Sequence, residues 1–307
     1  MTLRPGSFEE LLRCLAETRE GVVDSVDLSA FNRVAEHFPE DMTATAQTGL
    51  RLRDFQAALR KAGQWLPIDP PDDSIMLTEL LQNDLSGPRR CGYGTIRDYA
   101  LGLTVMLSDG TLIKSGGKVV KNVAGYDLCK LFIGSRSALG VIVEATFKLR
   151  PLPEAERFVQ KQCASLAEAG ALLQSILDSP MQPVVLDLHN QTGGFIVVAG
   201  FDGATEDVDA QSAEAARLGL NELADLTYER SFHASGGEPV RKISVLPSRL
   251  IETLKTFGGK PFVARAANGV IYSRSAAPAP SSSAPRELIA RVKSAFDPKN
   301  IFPQPAL

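Results

Sequence analysis

The chain has 307 residues, 44% of them hydrophobic and 22% charged, with a net charge of −3. This length suits two domains, or one domain with a large insertion. The negative charge and the scattered Lys and Arg residues argue against nucleic acid as a partner. Acids interrupt MTLRPGSFEELLRCLAE where a signal peptide needs an apolar core, and no apolar run reaches the roughly 20 residues of a membrane span. We therefore expect a soluble, cytoplasmic protein.

The sequence contains no recognisable metal-ligand motif. Neither C-x-x-C nor H-E-x-x-H occurs, so we expect neither a metal site nor an iron–sulfur cluster held by this chain. We interpret the histidines as surface or packing residues, and Cys129 as a packing residue on an apolar stretch. The cysteines and histidines are Cys14, Cys91, Cys129, Cys163, His37, His189 and His233.

The first 150 residues predict mixed helices and strands. Ser7 followed by Glu10 indicates a capped helix to about Arg19. A strand at 42–47 and a helix at 51–62 follow. LPIDPP, at 66–71, excludes a helix and favours a tight turn, with a cis peptide as one option. The Ser-Asp-Gly at 108–110 predicts a hairpin, and the alternation at 141–149 predicts a half-buried strand.

The pattern of predicted helices and strands changes after Pro153. The pattern predicts helices at about 165–178 and 204–219, strands at 183–189, 194–201 and 241–246, a helix capped by Ser248 and a hairpin at Asn268-Gly269. This order indicates an α+β unit on an antiparallel sheet. The Pro/Ser/Ala run at 275–285 reads as a linker before a helix at 286–296. We predict domains at 1–152 and 153–275, with 276–307 returning to the first domain.

Standard nucleotide motifs do not fit this sequence. GYGTIR at 92–97 lacks the third glycine of a dinucleotide fingerprint. DGTLIKSGGKV at 109–119 is not a P-loop, and no G-x-S-x-G is present. Glycines nevertheless recur within seventy residues, in the four segments 86–90, 92–95, 116–117 and 125–140. They are compatible with turns between strands or with a ligand held by backbone N–H groups.

Several segments, taken in order, resemble one family. These are LPIDPP, SGPRR with GYGTIRDYALGL, SDGTLIKSGGKVVKNVAGYDLCKLFIGS and LGVIVEATFKLRPLP. They are similar to the FAD-binding subunits of bacterial glycolate oxidases, within the vanillyl-alcohol-oxidase (PCMH-type) flavoproteins. The similarity runs from about Asp27 to Pro153, is weak in the second domain and returns at Phe296-Asp297-Pro298.

The resemblance implies an α+β fold: a two-part PCMH-type FAD-binding domain with an inserted α+β cap on an antiparallel sheet. FAD would lie between the two, bound non-covalently and largely by main-chain amides. Ser86 and Gly87 would lie beside the flavin and its phosphates, with Gly94 and Thr95 nearby. The remaining contacts implied by the resemblance are Gly125 over the cofactor and Gly140, Val141 and Ile142 near the adenine.

The implied reaction is oxidation of a small 2-hydroxy acid such as glycolate to the 2-oxo acid, with hydride passing to the flavin. Arg89 or Arg90 could clamp the substrate carboxylate, or form structural or phosphate-side salt bridges. Tyr126 and Asp127 could orient a polar group, or close the loop by a hydrogen bond to each other. No histidine lies in a matching segment, so the catalytic residues stay unassigned.

The resemblance also implies a second flavoprotein subunit and an iron–sulfur subunit as partners. Through such a complex, attachment to the inner membrane is an option. Nothing in the matching segments suggests a partner of nucleic acid.

Three departures fall at positions where the family contacts FAD. The family's R-G-G-G-T loop is missing between Thr18 and Val23, its Gly-Gly is Thr78-Glu79 with Asp84 for Asn, and the tail ends Phe302-Pro303-Gln304-Pro305 instead of F-N-P-G-R. Losing two or three hydrogen bonds to a charged group costs on the order of 3–9 kcal/mol. Three hypotheses follow: a FAD-binding subunit, a flavin-free scaffold that supports a catalytic partner, or a small-molecule sensor.

Overall fold

A computed structural model describes residues 1–18, 22–117, 127–191, 193–236, 238–274 and 286–305. Gly125 and Tyr126, which were predicted to lie near the cofactor, are outside these ranges. Within them, no helix combines the length and the apolar character that crossing a bilayer requires.

The elements before residue 152 build the first lobe of the molecule. They are β1 (Thr2–Leu3), α1 (Phe8–Glu17), β2 (Ser25–Val26), β3 (Val34–Phe38), β4 (Thr43–Gln47), α2 (Leu52–Arg60), β5 (Gln64–Trp65), α3 (Leu77–Gln82), α4 (Arg90–Tyr93), α5 (Ile96–Tyr99), β6 (Ala100–Met106), β7 (Leu112–Gly116), α6 (Cys129–Phe132), β8 (Val141–Lys148) and β9 (Arg150–Pro151).

The elements from residue 155 to residue 273 build the second lobe, and one helix follows it. They are β10 (Ala155–Cys163), α7 (Leu166–Leu177), β11 (Val185–His189), β12 (Phe195–Gly203), α8 (Thr205–Arg217), β13 (Asn221–Leu223), α9 (Thr227–Ala234), β14 (Arg241–Ser244), α10 (Leu250–Lys255), β15 (Phe262–Arg265), β16 (Val270–Ser273) and α11 (Arg286–Phe296).

An antiparallel sheet forms the centre of the first lobe. In the described residues it has five strands in the order β3-β4-β8-β6-β7. One face buries small and aromatic side chains such as Ala145 and Phe147 against α2, where Phe55 contacts Phe147 with ring centroids 5.5 Å apart. The predicted α+β class is confirmed in this lobe.

Local signals in the sequence explain the first helix and the hairpin. The Ser7 side chain accepts the N–H of Glu10 (3.1 Å) and so caps α1. Gly110, at φ +86°, makes the turn between β6 and β7, where a left-handed backbone favours glycine. The tight turn at 66–71 uses trans peptide bonds, and no cis peptide is present in the described residues.

Strand β8 follows the predicted alternation only in its second half. Val143, Ala145 and Phe147 are buried, while Glu144 and Thr146 are half-buried. At its start, however, three successive residues are buried, because this end of the strand is covered on both faces. Val141 packs with Leu11 and Leu15, whereas Ile142 packs into the core of the sheet.

The second lobe is a larger antiparallel sheet with helices on one face. Its seven described strands run in the order β13-β10-β12-β11-β15-β16-β14. Helices α7, α8 and α10 bury an apolar cluster against one face. The sequence did not predict β10, β13 or α9. In β10 the reason is visible, since polar residues occupy most positions of the strand (AERFVQKQC) and only Phe158, Val159 and Cys163 are buried.

The predicted start of the helix with Ser248 as its cap is wrong. Pro247–Arg249 form a 3-10 turn that runs directly into α10, so the α-helix begins at Leu250. The Asn268-Gly269 hairpin is confirmed, with Gly269 in the left-handed region between β15 and β16.

Helix α11 carries the chain back to the first lobe. Val292 and Phe296 pack against the core of that lobe, and Phe296 meets Phe132 edge-on at 5.3 Å. Ile301 and Phe302 are buried beside α1. The boundaries at 152/153 and 275/276 stay predictions, since residues 275–285 lie outside the described ranges.

A buried ion pair fixes this returning segment. The Lys293 ammonium donates to Asp297 (2.5 Å) and to the carbonyls of Ala138 (2.9 Å) and Phe302 (3.0 Å). Asp297 also accepts the N–H groups of Ile301 (3.1 Å) and Phe302 (2.9 Å). One lysine therefore joins the helix, the tail and the loop before β8.

We expect Lys293→Met to lower the free energy of unfolding by roughly 3–5 kcal/mol, because it leaves the Asp297 carboxylate buried without its cation. Denaturant unfolding measures this. Lys255→Met, at an exposed lysine in the last turn of α10, is the control and should change stability by about 0.5 kcal/mol or less. Equal effects of the two substitutions would contradict the assigned role of Lys293.

Candidate functional site

The two lobes meet where residues 86–93 of the first lie against the sheet of the second. Gly92 donates its N–H to the Val184 carbonyl (3.1 Å), and a Cβ on Gly92 would come 2.7 Å from the Val184 side chain. The Tyr93 hydroxyl donates to Asp202 (2.8 Å). Gly92 is therefore required by close approach of the second lobe.

Arg89 is held by both lobes at this contact. Its guanidinium pairs with Asp69 of the LPIDPP turn (2.6 Å) and with Glu156 of β10. It also lies over Trp65 at 5.4 Å and over Phe158 at 5.7 Å. Each lobe thus supplies one carboxylate and one aromatic ring. Although burial opposes the charge, Asp69 and then Glu156 raise the pKa of Arg89, so it stays a cation.

A cavity of about 330 Å³ lies beside Arg89 between the lobes. Pro70, Pro88 and Phe158 give it apolar walls, and Asp69 and Glu229 add carboxylates. Burial raises the pKa of Asp69 to about 6, against the effect of Arg89. The volume is at the lower end of the range for small-molecule sites. Substrate binding by Arg89 stays a prediction, and it would require one of the two ion pairs to open.

Two of the predicted flavin contacts lie at this meeting of the lobes. Ser86 is buried, and its hydroxyl accepts a hydrogen bond from Arg90 (3.3 Å). Gly87 faces the LPIDPP turn, where a Cβ would stand 1.8 Å from the Asp69 carbonyl oxygen. Protein atoms therefore already fill the space beside Gly87.

Gly94 and Thr95 follow between two short helices. Gly94 has φ +83°, and a Cβ there would lie 2.6 Å from the Asp98 carboxylate. Asp98 accepts both the N–H (2.7 Å) and the hydroxyl (2.9 Å) of Thr95. These contacts cap α5 and account for both residues by local structure.

The other predicted contacts lie in the core of the first lobe. A Cβ on Gly140 would come 2.8 Å from Val105, and the side chains of Val141 and Ile142 are buried. The Ile142 carbonyl accepts the Thr48 hydroxyl (2.5 Å). Contact with a ligand by these three residues stays a prediction. The structure does not bring them together with Ser86 and Gly87 at one cavity.

A second cavity, of about 410 Å³, lies in the first lobe. It joins two of the departures noted in the sequence, namely the segment that follows the missing loop and the Thr78-Glu79 pair. Asp84 is not in its lining and pairs with Arg97 (3.3 Å). The residues that line this cavity, which we name the α3 cavity, are Asp24, Ser25, Val26, Asp27, Met76, Thr78, Glu79, Gln82, Asn83, Arg136 and Ser137.

A buried ionic cluster lies on the second lobe's sheet, on the face opposite α7. Asp187 and Arg265 are directly paired residues of neighbouring strands and form an ion pair (2.5 Å). Arg265 also pairs with Glu229 of α9, and the Tyr228 hydroxyl donates to Asp187 (2.6 Å). His189 stacks on Tyr228 at 4.4 Å.

Sequence reasoning missed this cluster. Asp187 and Arg265 interrupt the apolar runs VVLDLH and FVARAA, and a charge inside such a run is the signal that could have found them. Asp187, Glu229 and Arg265 each keep one buried polar atom without a partner among the described residues.

Comparison with known proteins matches part of the chain to a FAD-binding family. Residues 13–116 match a family described as "FAD binding domain". Glycolate oxidase subunit GlcD of Bacillus subtilis is 36% identical over 161 residues, and subunit GlcE of Escherichia coli is 35% identical over 162. Each alignment covers 52% of this chain, and 34% and 45% of the respective relatives. A probable mitochondrial D-lactate dehydrogenase of Danio rerio is 34% identical, over 50% of this chain and 30% of that protein.

Residues 13–116 thus match a FAD-binding family, and about half of the chain is similar to glycolate oxidase subunits. A solved alkyldihydroxyacetonephosphate synthase matches 98% of this chain and 76% of its own, with a TM-score of 0.72. At 18% identity this similarity shows the fold alone, and it confirms the predicted PCMH-type architecture. This chain spans less than half of the length of the two glycolate oxidase subunits.

Residues 13–116 match a family of FAD-binding domains, and the α3 cavity, where two departures from that family meet, is the candidate place for the FAD diphosphate. A diphosphate needs several N–H donors or cations. The amides along two walls are already bonded: Asp24 to Met1 O, Asp27 to Leu3 O, Leu77 to Leu50 O and Thr78 to Thr48 O, all at 2.7–3.0 Å.

The charges of the α3 cavity do not suit a diphosphate either. Three carboxylates, Asp24, Asp27 and Glu79, face one cation, Arg136, among the described lining residues. Hydrogen bonds from Ser29 hold the pKa of Asp27 below its usual value, so this carboxylate is ionised at neutral pH. The described residues that line the α3 cavity therefore do not fit the diphosphate of FAD.

We expect Arg89→Met to destabilise the protein by roughly 2–3 kcal/mol, since it leaves Asp69 and Glu156 without their shared cation. Arg89→Lys keeps the positive charge but loses the forked set of guanidinium N–H donors. It should lower the free energy of unfolding by about half as much. Thermal and denaturant unfolding measure both. Arg249→Met, in an exposed pair with Glu252, is the control, with a cost below about 1 kcal/mol. Unchanged stability of the Arg89→Met protein would contradict the role of Arg89 in joining the two lobes.

The His189 imidazole supplies a pH-dependent prediction. Burial lowers its pKa from 6.5 to about 4, so in this window the unfolded chain binds a proton that the folded chain does not. The buried neutral imidazole therefore does not lower the free energy of unfolding above pH 6.5. Between pH 6.5 and pH 4 the free energy of unfolding falls as the pH drops.

The contribution of His189 to the acid-induced fall in the free energy of unfolding, roughly 2–3 kcal/mol, should be absent in His189→Gln. Unfolding curves of both proteins at pH 7, 5.5 and 4.5 measure it. Since Asp187 and Glu229 titrate in both proteins, the difference between them reports His189. Parallel pH profiles would contradict the prediction.

Proposed function

We propose that this chain is a subunit of an oxidoreductase that oxidises a small 2-hydroxy acid to the 2-oxo acid. The observation that carries the proposal is the 34–36% identity to two glycolate oxidase subunits and a D-lactate dehydrogenase over half of the chain. Glycolate and D-lactate are both small 2-hydroxy acids, so the shared chemistry is removal of two electrons from a hydroxyl carbon next to a carboxylate.

The names of two relatives also support a complex, because each is called a subunit of glycolate oxidase. We propose a second flavoprotein subunit and an iron–sulfur subunit as the partners of this chain.

The cavity beside Arg89 is the place that we propose for the hydroxy acid. It lies between the lobes, is lined by Pro88 and Arg89, and has a volume suited to a small ligand. Of the two arginines expected to bind the substrate carboxylate, Arg89 lines this cavity, whereas Arg90 does not and donates to Ser86.

The test is an assay of the assembled complex. The full chain is co-expressed with candidate flavoprotein and iron–sulfur subunits and purified through a tag on the chain. Dye reduction is then followed with glycolate and D-lactate, and with acetate as the control that lacks the hydroxyl. We expect turnover with a 2-hydroxy acid, and at least tenfold less when this chain is omitted.

Two results would contradict the proposal. One is a complex whose turnover does not change when this chain is left out. The other is a chain that forms no stable complex with any flavoprotein subunit, as judged by size-exclusion chromatography.

A further inference from the structure

The α3 cavity disagrees with the FAD-binding family that residues 13–116 match, and the disagreement can be traced to single residues. Glu79 is the first of them. Its carboxylate lies in the first turn of α3 and accepts the N–H of Met76 (3.5 Å), the residue before the helix. The carboxylate thus takes an amide hydrogen that an oxygen of a diphosphate would otherwise use.

The next two amides of α3 are also bonded within the chain. Leu77 donates to the Leu50 carbonyl (2.9 Å) and Thr78 to the Thr48 carbonyl (2.7 Å). With six residues, α3 is too short to offer a strong dipole in compensation. Among the described residues, neither of these two amides is therefore free to bind a diphosphate, and the Thr78 hydroxyl is the buried group of this wall without a partner.

The polar groups of the opposite wall are bonded to the first residues of the chain. The Met1 ammonium bonds Asp24 (2.6 Å), and the Met1 and Leu3 carbonyls accept the N–H groups of Asp24 and Asp27. Asp27 carries a further charge, with Arg4 at 3.9 Å. The cations on this side therefore already have carboxylate partners, and a dianion entering the cavity would find none in excess.

The loop before β8 closes the third side of the cavity. Arg136 donates its N–H to the Gln82 carbonyl (3.0 Å), and both Arg136 (φ +51°) and Ser137 (φ +62°) have left-handed backbones. Arg136 is the one cation that the described lining offers against Glu79. A single exposed guanidinium does not replace a set of converging amides.

We infer that the α3 cavity of this chain excludes the FAD diphosphate, that Glu79 and Asp27 are the residues responsible, and that the chain is the flavin-free subunit of its complex. The second part rests on the proposed function, because the flavin of the reaction is then carried by the partner flavoprotein subunit.

The first experiment measures flavin on the purified full chain. The chain is incubated with 100 µM FAD and desalted, and its visible spectrum is recorded; a titration of FAD fluorescence gives the affinity. We expect no retained flavin band and a dissociation constant above about 100 µM. A stoichiometric flavin band in the wild-type chain would overturn the inference.

The second experiment removes the two charges one at a time. Glu79→Gln and Asp27→Asn keep the size of each side chain, and we expect each to tighten FAD binding, with the double variant gaining tenfold or more. Glu168→Gln is the matched control, because Glu168 closes the start of α7 in the same way by accepting the Ala164 N–H (2.8 Å). The rise in melting temperature with FAD gives a second reading of affinity.

The outcomes separate this inference from the proposed function. Variants that bind FAD no better than the wild type and the Glu168→Gln control would overturn the role of Glu79 and Asp27. In the assembled complex we expect flavin equal to the content of the partner flavoprotein subunit alone. An inactive complex would refute the proposed function wherever the flavin resides, whereas an active complex with one extra flavin per copy of this chain would refute the inference alone.

Discussion

The Arg89 guanidinium joins two sheets that share no strand. It contacts Asp69 and Trp65 on one side and Glu156 and Phe158 on the other. A planar cation with a fork of donors can pair with two carboxylates and stack on two rings at once, which an ammonium cannot. Together with the hydrogen bonds from Gly92 to Val184 and from Tyr93 to Asp202, this side chain holds the two lobes, and the cavity between them, in place.

The second lobe holds charges inside its sheet as well. Arg265 lies between Asp187 and Glu229, all three almost fully buried. Although burial opposes the charge of Glu229, Arg265 lowers its pKa to about 2, whereas burial raises the pKa of Asp187. Two carboxylates that share one cation are thus driven to different pKa values. Such a cluster is costly to desolvate, and it gives weak support to stability but fixes the register of β11 against β15.

The glycines of the first lobe show how one pattern serves two purposes. In a flavoprotein, a glycine-rich segment lets backbone amides reach a cofactor. Here, Gly87 makes room for the Asp69 carbonyl, Gly92 for Val184 and Gly140 for Val105. The contacts that close the molecule therefore account for these glycines without a ligand. A chain can keep the fold of a family after the hydrogen-bond donors of its site have formed bonds within the protein. Similarity therefore shows the fold, whereas the local geometry shows whether those donors are free to bind a ligand.

The sequence by itself determined the α+β class, the capped helix after Ser7, the hairpin at Gly110 and helix α11, because each follows from local capping, turn chemistry or periodicity. The resemblance added the family and the positions where this chain departs from it. Only the tertiary structure decided that Arg89 is bound by four groups and that Asp187 faces Arg265. These pairs join residues far apart in the chain, and no local pattern encodes which strands become neighbours. The same reason applies to the α3 cavity, whose missing donors became visible only when the hydrogen bond of each amide was known.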